Sequence, residues 1–344
     1  MPQNTDDYDD LISLCTLHIH NIVSIAFEYT EQNSAIVVYD ERCKLSKILT
    51  AAYQRVLPNA QFIHFDDVTP EFILSAFDTL HANDLVVQIQ STNFRLGAFR
   101  VRIELFKRQL KVLEHPHLER MTDEQVNYYI DALEYDSSYY RRVGPALQQR
   151  INQAQRAVID SGNGEQLFFD SPFESAKLNI GDYTGMTNVG GQFPIGEVFT
   201  EALDLEAVHG RVRIPVFGDT TFSVNTPAEP ITLIIASGRV TGVENSTPEF
   251  DLVLQQIRDE EGEVWLRELG FGMNRALTFE RTVNDIGTFE RMCGVHLSLG
   301  AKHGQYAKPQ IRRAMARYHV DVFAATHTVQ LDDAVIYEHG AWLV

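Results

Sequence analysis

Near the C-terminus, the stretch Tyr318-His319-Val320-Asp321-Val322-Phe323 reads as a short strand. Side chains along a strand alternate between faces, so Val320 and Val322 share one face and His319 and Asp321 share the other. An imidazole and a carboxylate side by side on an apolar strand do one of two things. They form a buried pair that only stabilises the fold, or they grip a ligand. A hydrolytic metal site needs imidazole nitrogens and carboxylate oxygens converging on one point with a position left open for water.

Three upstream stretches offer partners. Asn188–Thr200, "NVGGQFPIGEVFT", is a Gly/Pro-rich loop that delivers Glu197 at the start of an apolar run; the plain alternative is an ordinary glutamate in a turn. Trp265–Asn274, "WLRELGFGMN", sets Glu268 between Leu266 and Leu269, ahead of a Gly-x-Gly; the alternative is a structural pair with Arg267 or Arg275. That Gly-x-Gly lacks the strand–helix context and further glycine of a dinucleotide motif. Thr288–Tyr306 contains the alternating strand "GVHLSLG", with His296 and Ser298 on one face and Glu290 upstream as a supporting partner; the alternative is a satisfied core histidine. Isolated buried charges are costly unless paired or metal-bound. Glu197, Glu268, His296, His319 and Asp321 together would serve a binuclear site, with Asp321 bridging two cations.

These residues must be held by surrounding elements. The first part of the chain alternates strand-like and helix-like stretches: "AIVVYD" from Ala35, "KLSKILTAAYQRVL", "QFIHF" from Gln61, "TPEFILSAFDTLH" with a Thr cap and Pro at the first helical position, and "DLVVQIQ" from Asp84. That order predicts a parallel sheet flanked by helices. "FRLGAFRVRIELFKRQLKVLEH" reads as one long basic helix, and "MTDEQVNYYIDALEYDSSYYRRVGPALQQRINQAQRAVID" continues helically, with Thr122 and Gln125 as a capping box. The zone of about 95–150 joins the two halves. Beyond residue 160 short strands alternate with Gly, Pro and Asn turns ("EQLFFD", "RVRIPVFG", "ITLIIASGRVTGVE"), plus one helix at Pro248–Gly262 with Phe250, Leu252, Leu254 and Ile257 as its apolar residues. The expected organisation is an α/β N-terminal domain over 1–145, with a parallel sheet, and an α+β, strand-rich, metal-binding catalytic domain over 146–344.

Composition limits the partners. With 47 acidic against 29 basic residues the net charge is −18, the opposite of the basic footprint that nucleic acid or an anionic membrane requires. Size and a hydrophobic content of 44% allow a substantial core. No apolar run approaches the ~18 residues of a membrane span, and "MPQNTDDYDD" is unlike a secretory leader. The three cysteines, Cys15, Cys43 and Cys293, are far apart and form no zinc or disulfide pattern. A cytoplasmic, reduced protein is expected. Cys293 is read as inert core, His18 and His20 as structural residues with strand-like spacing, and His115 and His117 as surface residues of a loop around Pro116.

In order and wording, "FPIGEVFT", "RELGFGMN", "VHLSLG" and "YHVDVF" resemble the thermophilic-type metallo-aminopeptidases, the aminopeptidase T and aminopeptidase S family. "INQAQRAVIDSGNGEQLFFD" is similar to the family's helix and entry strand, and the resemblance covers roughly residues 140–330. It implies Glu197, Glu268, His296, His319 and Asp321 as ligands of two divalent ions (zinc, cobalt or manganese) that activate a water for attack on a peptide or amide carbonyl. It also implies a homodimer and a small-molecule or peptide substrate. Glu197 and His303 are assigned to catalysis. The family's catalytic Tyr, seven residues after the first ligand His, is replaced here by His303, and the nearest tyrosine is Tyr306. A histidine can still donate a hydrogen bond to an oxyanion. The basic segment "KPQIRRAMAR" offers Lys308, Arg312, Arg313 and Arg317 to an anionic substrate group, or a solvated face.

The resemblance extends to relatives that open 2,5-dihydroxypyridine rings with one iron(II) held by two His and one Asp; His296, His319 and Asp321 match that set. Retention of both glutamates favours the hydrolase, and the missing Tyr favours the oxygenase. A metal-free binding protein that kept the fold is the third reading.

Overall fold

Runs such as Ala35–Tyr39 (AIVVY) and Leu85–Ile89 (LVVQI) suit strands covered on both faces. In the computed structural model, which describes residues 5–96 and 99–344, both lie inside a five-stranded sheet. The sheet order is Gly190–Gln192, Lys111–His115, Leu85–Ile89, Ala35–Tyr39, Gln61–His64, with every neighbouring pair parallel. Helices Lys44–Val56, Pro70–Phe77 and Val101–Lys107 alternate with the strands along the chain, as the sequence predicts. Thr69 caps Pro70–Phe77 by accepting from the Phe72 amide at 3.4 Å, with Pro70 at the first turn. The chain divides into two units. The first comprises the residues up to Ser138, Gly181–Ile195 and Val283–Asp285; the second comprises Tyr139–Ile180, Gly196–Thr282 and Ile286–Val344.

The structure corrects four local expectations in the first unit. The long basic helix is not one: Gly97 and Ala98 within it lie outside the described residues, the helix is only Val101–Lys107, and Lys111–His115 is a strand paired on both sides. Gln109, at φ 59°, ends the helical path, and sheet pairing of the buried Val112 and Leu113 overrides helix propensity. His18 and His20 belong to the helix Thr5–Asn21 rather than to a strand. His115 is fully buried, held between the Tyr53 hydroxyl at 2.8 Å and the Tyr129 hydroxyl at 3.0 Å, not a surface residue. Of the Thr122 capping box one half is formed, the Thr122 amide donating to Gln125 Oε1 at 3.2 Å.

The second unit is strand-rich and antiparallel. One sheet of eight strands runs from Arg239–Glu244 to Ala341–Trp342. The other sheet has seven strands, ordered Val224–Asn225, Val216–Gly218, Val320–Phe323, Gly294–Leu299, Leu266–Gly272, Glu197–Glu201, Lys177–Asn179. All its pairs are antiparallel. Its four strands from Val320–Phe323 to Glu197–Glu201 are the ones the motifs supply. Helix Pro248–Glu261 forms between a Thr247 cap and Gly262 at φ 84°. It buries Phe250, Val253, Leu254 and Ile257, while Leu252 is exposed rather than part of its apolar face. Among the described residues no helix is long and apolar enough to cross a membrane.

Candidate metal centre

Residues directly opposed in an antiparallel pair share a face. Glu197 opposes Gly272, Gly270 opposes His296, and Ser298 opposes Asp321. By alternation Glu197, Gly270, Gly272, His296, Ser298 and Asp321 therefore sit on one face of four consecutive strands. Glu268 joins them from the bulge between Leu266 and Leu269, where its amide donates to Ser298 Oγ at 3.0 Å. His319 just precedes its strand and donates from Nδ1 to the Lys302 carbonyl at 3.1 Å. In the neutral ring this directs the Nε2 lone pair inward, the usual outer support of a ligating histidine.

The Gly-x-Gly is the space that makes this possible. A Cβ on Gly270 would stand 2.0 Å from His296 Nε2, and one on Gly272 would stand 1.9 Å from the Met292 carbonyl oxygen. Only bare backbone at these two points lets the imidazole and the 291–292 chain lie flat on the strand.

The side chains gather into two buried groups. In each, the ligand atoms lie within 4.8 Å of one another: Glu197, Glu290 and His296 in one, Glu268, His319 and Asp321 in the other. His296 Nε2 lies 3.1 Å from Glu197 Oε1 and 3.4 Å from Glu268 Oε1, which joins the groups. His319 Nε2 is 3.1 Å from Asp321 Oδ1, and His303 Nε2 is 2.8 Å from Glu268 Oε2, both outside good hydrogen-bond alignment. All five residues nominated as ligands are thus brought together, with His303 against them. Glu268 does not pair with Arg267, which is bonded to Glu201 at 2.5 Å and to the Ala301 carbonyl.

Two members were not legible as such. Glu290 stands among the ligand atoms rather than behind them. Arg291 carries no spacing signal for the site; its Nη1 lies 2.5 Å from Glu197 Oε2 and 2.6 Å from Glu290 Oε1. The signal was a charged pair, Glu290-Arg291, set between Phe289 and Met292. The basic segment is corrected too. Lys308 is a buried residue of the cavity lining whose ammonium is bonded to Glu174 at 2.6 Å and the Ala202 carbonyl at 2.8 Å; Arg313, also in the lining, is exposed, as are Arg312 and Arg317. Tyr306 donates to the Ser175 carbonyl at 2.8 Å and does not take the place of His303.

The buried imidazoles and carboxylates shift one another's protonation. Burial by itself would lower His319, but the adjacent Asp321 carboxylate reverses this and raises it to about 10. Burial likewise opposes protonation of His296, yet Glu197 and Glu268 hold it well above the ordinary imidazole value. Burial pushes Glu268 up, and His296 and His303 more than undo it, leaving it below the usual carboxylate range. Glu290 is raised to about 8 by burial, with Glu197 and Asp321 adding to it and Arg291 opposing. Without a metal, protons on the imidazoles neutralise the carboxylates; a divalent ion needs those rings neutral and would displace the protons. The Glu268–His319–Asp321 group, with oxygen and nitrogen donors and a poorly matched Asp321 Oδ1, fits such an ion. Beside it, His303 lines a cavity of about 310 Å³ together with Lys302, Gln305, Tyr306 and Arg313. Cys293 takes no part: burial pushes its thiol up to about 11.

No family model matches the chain, and no curated protein matches its sequence. Solved structures do. The structure of 2,5-dihydroxypyridine dioxygenase from Pseudomonas putida KT2440 matches with a TM-score of 0.61 at 14% identity, covering 96% of each chain. Wild-type AmpT from Thermus thermophilus matches with a TM-score of 0.58 at 12% identity, covering 96% of this chain and 99% of AmpT. The resemblance read from the motifs thus extends to the backbone over nearly the whole length, and the chain has the fold shared by AmpT and 2,5-dihydroxypyridine dioxygenase.

Proposed function

We propose that the protein is a metal-dependent hydrolase of the aminopeptidase type, cleaving a peptide or amide bond. The observation that carries this reading is the buried Glu268–His319–Asp321 group opening beside a cavity through His303. Glu268, His319 and Asp321 would hold a divalent cation, and such a cation supplies a nucleophilic water near neutral pH and polarises the carbonyl. His319 is kept in register by the Lys302 carbonyl. His303, a residue of the cavity lining whose Nε2 faces the ligand group 2.8 Å from Glu268, would be the donor for the developing oxyanion. The cavity takes the side chain or terminal group of a small peptide or amide. The acidic balance supports such substrates over nucleic acid or membrane, and a cytoplasmic homodimer completes the reading.

A second reading, a mononuclear iron(II) ring-cleaving dioxygenase, is favoured by two specific features: His303 stands at the Tyr position, and Arg291 lies across Glu197. The two readings separate in one comparison. Metal-free protein is loaded with zinc, cobalt or manganese and assayed on amino-acid amides and short peptides. A parallel sample is loaded anaerobically with iron(II) and assayed for oxygen uptake with dihydroxypyridines. Release of free amine in the first arm is expected; ring opening with oxygen consumption in the second arm alone would replace the hydrolase by the oxygenase.

His303→Phe is expected to lower turnover by about 10²-fold or more, the usual loss on removing one oxyanion donor. Metal content stays unchanged because the ligand group is intact. Undiminished turnover in this variant would show that His303 does not stand in for the Tyr.

A further inference from the structure

Building on the metal-enzyme reading, we propose that the centre takes one cation, at Glu268, His319 and Asp321. The Arg291 guanidinium is a built-in positive charge that fills the place of a second. Its Nη1 lies between the Glu197 and Glu290 carboxylates at 2.5 and 2.6 Å, two of the three side chains whose atoms form the other ligand group. A guanidinium bonded to both carboxylates supplies one of the two positive charges a divalent ion would bring, and a divalent ion entering beside it meets repulsion in a poorly screened interior.

Arg291 is not a surface side chain that has folded in. The residue is 4% exposed. Its carbonyl accepts from the Asn274 amide at 2.8 Å, and the Met292 amide that follows donates to Phe289 at 2.8 Å. The bare backbone of Gly272 lets this stretch of chain approach, since an added Cβ there would meet Arg291 and Met292 backbone atoms within 3 Å. The guanidinium therefore arrives from a pinned backbone.

The two imidazoles differ accordingly. His319 has the outer acceptor that supports a ligating ring, the Lys302 carbonyl, whereas His296 Nδ1 is buried without a hydrogen-bond partner. His296 Nε2 is nearest Glu197, on the side Arg291 occupies. In this arrangement Glu197 is the counter-ion of Arg291 and a positioning residue for His296, not a metal ligand.

The test is a count of ions. Metal-free protein is incubated with excess manganese, cobalt or zinc and freed of unbound metal, and ions per chain are measured by elemental analysis with protein quantified by amino-acid analysis. Wild type is expected to hold one ion. Glu197→Gln is expected to retain it, Arg291→Lys to keep a single ion, and Arg291→Met to acquire a second. Two ions in wild type, or loss of the ion in Glu197→Gln, overturns the proposal while leaving a metal enzyme. No ion in wild type removes the metal-enzyme reading and this inference with it. A folded Arg291→Met that still holds one ion overturns the role given to the guanidinium. Should that variant not fold, the wild-type and Glu197→Gln counts decide.

Discussion

Asp321→Asn is expected to strip the protein of its metal and its activity while leaving the fold in place. Asp321 gives the Val320–Phe323 strand its only carboxylate, 3.1 Å from His319 Nε2 and within ligand distance of Glu268. The amide keeps the shape and loses the charge. Losing even an outer partner of a metal ligand typically costs 10–100-fold in affinity, so losing an anionic ligand should cost more than about 100-fold. Elemental analysis after gel filtration checks this, with circular dichroism as the control for folding. A variant that keeps its ion would remove Asp321 from the site and leave the His319–Asp321 pair as a structural feature.

The second large effect belongs to a residue with no chemistry. Gly270→Ala places a methyl group 2.0 Å from His296 Nε2 and 2.1 Å from Cε1, far inside contact distance. The ring has nowhere to retreat, because His296 is 1% exposed and packs against Phe323 at a centroid distance of 5.9 Å. Overpacking of this kind costs about 1–3 kcal/mol and occasionally more. In a unit of this size that corresponds to a melting temperature lower by roughly 2–12 °C, at 2–4 °C for each kcal/mol. The imidazole must also leave its position between Glu197 and Glu268. Gly304→Ala is the internal control: nothing lies within 4 Å of its added methyl group, so it should melt with the wild type. Equal melting temperatures for all three proteins would mean the strand relaxes freely, and the tight packing assigned to Gly270 would be wrong.

Much of this centre can be read from the sequence because strand alternation is a local property. His296 and Ser298 share a face by spacing alone, and so do His319 and Asp321. The alternation of Ala35–Tyr39, Lys44–Val56 and Gln61–His64 carries the parallel sheet in the same way. What failed depended on partners distant in sequence. Lys111–His115 has the composition of a helix and becomes a strand because Leu85–Ile89 and Gly190–Gln192 bond to either side of it. Lys308 reads as a free cation in its basic segment, and the sequence gives no sign that Glu174, 134 residues earlier, accepts from it. The purpose of the Gly-x-Gly is invisible without the register that sets Gly270 opposite His296. Arg291 meets Glu197 across 94 residues, and no periodicity announces such a contact.

The Lys302 carbonyl ties two functions together. It holds His319 Nδ1, while Lys302 itself and its neighbour His303 form part of the cavity wall. A molecule seated there would touch the same short segment that holds the His319 ring. Thermodynamic linkage then requires reciprocity: whatever factor cavity occupancy contributes to ion affinity, ion occupancy returns to the affinity of the cavity's guest. If segment 301–303 transmits such contact to the His319 ring, titrations of either ligand should shift when the other is present.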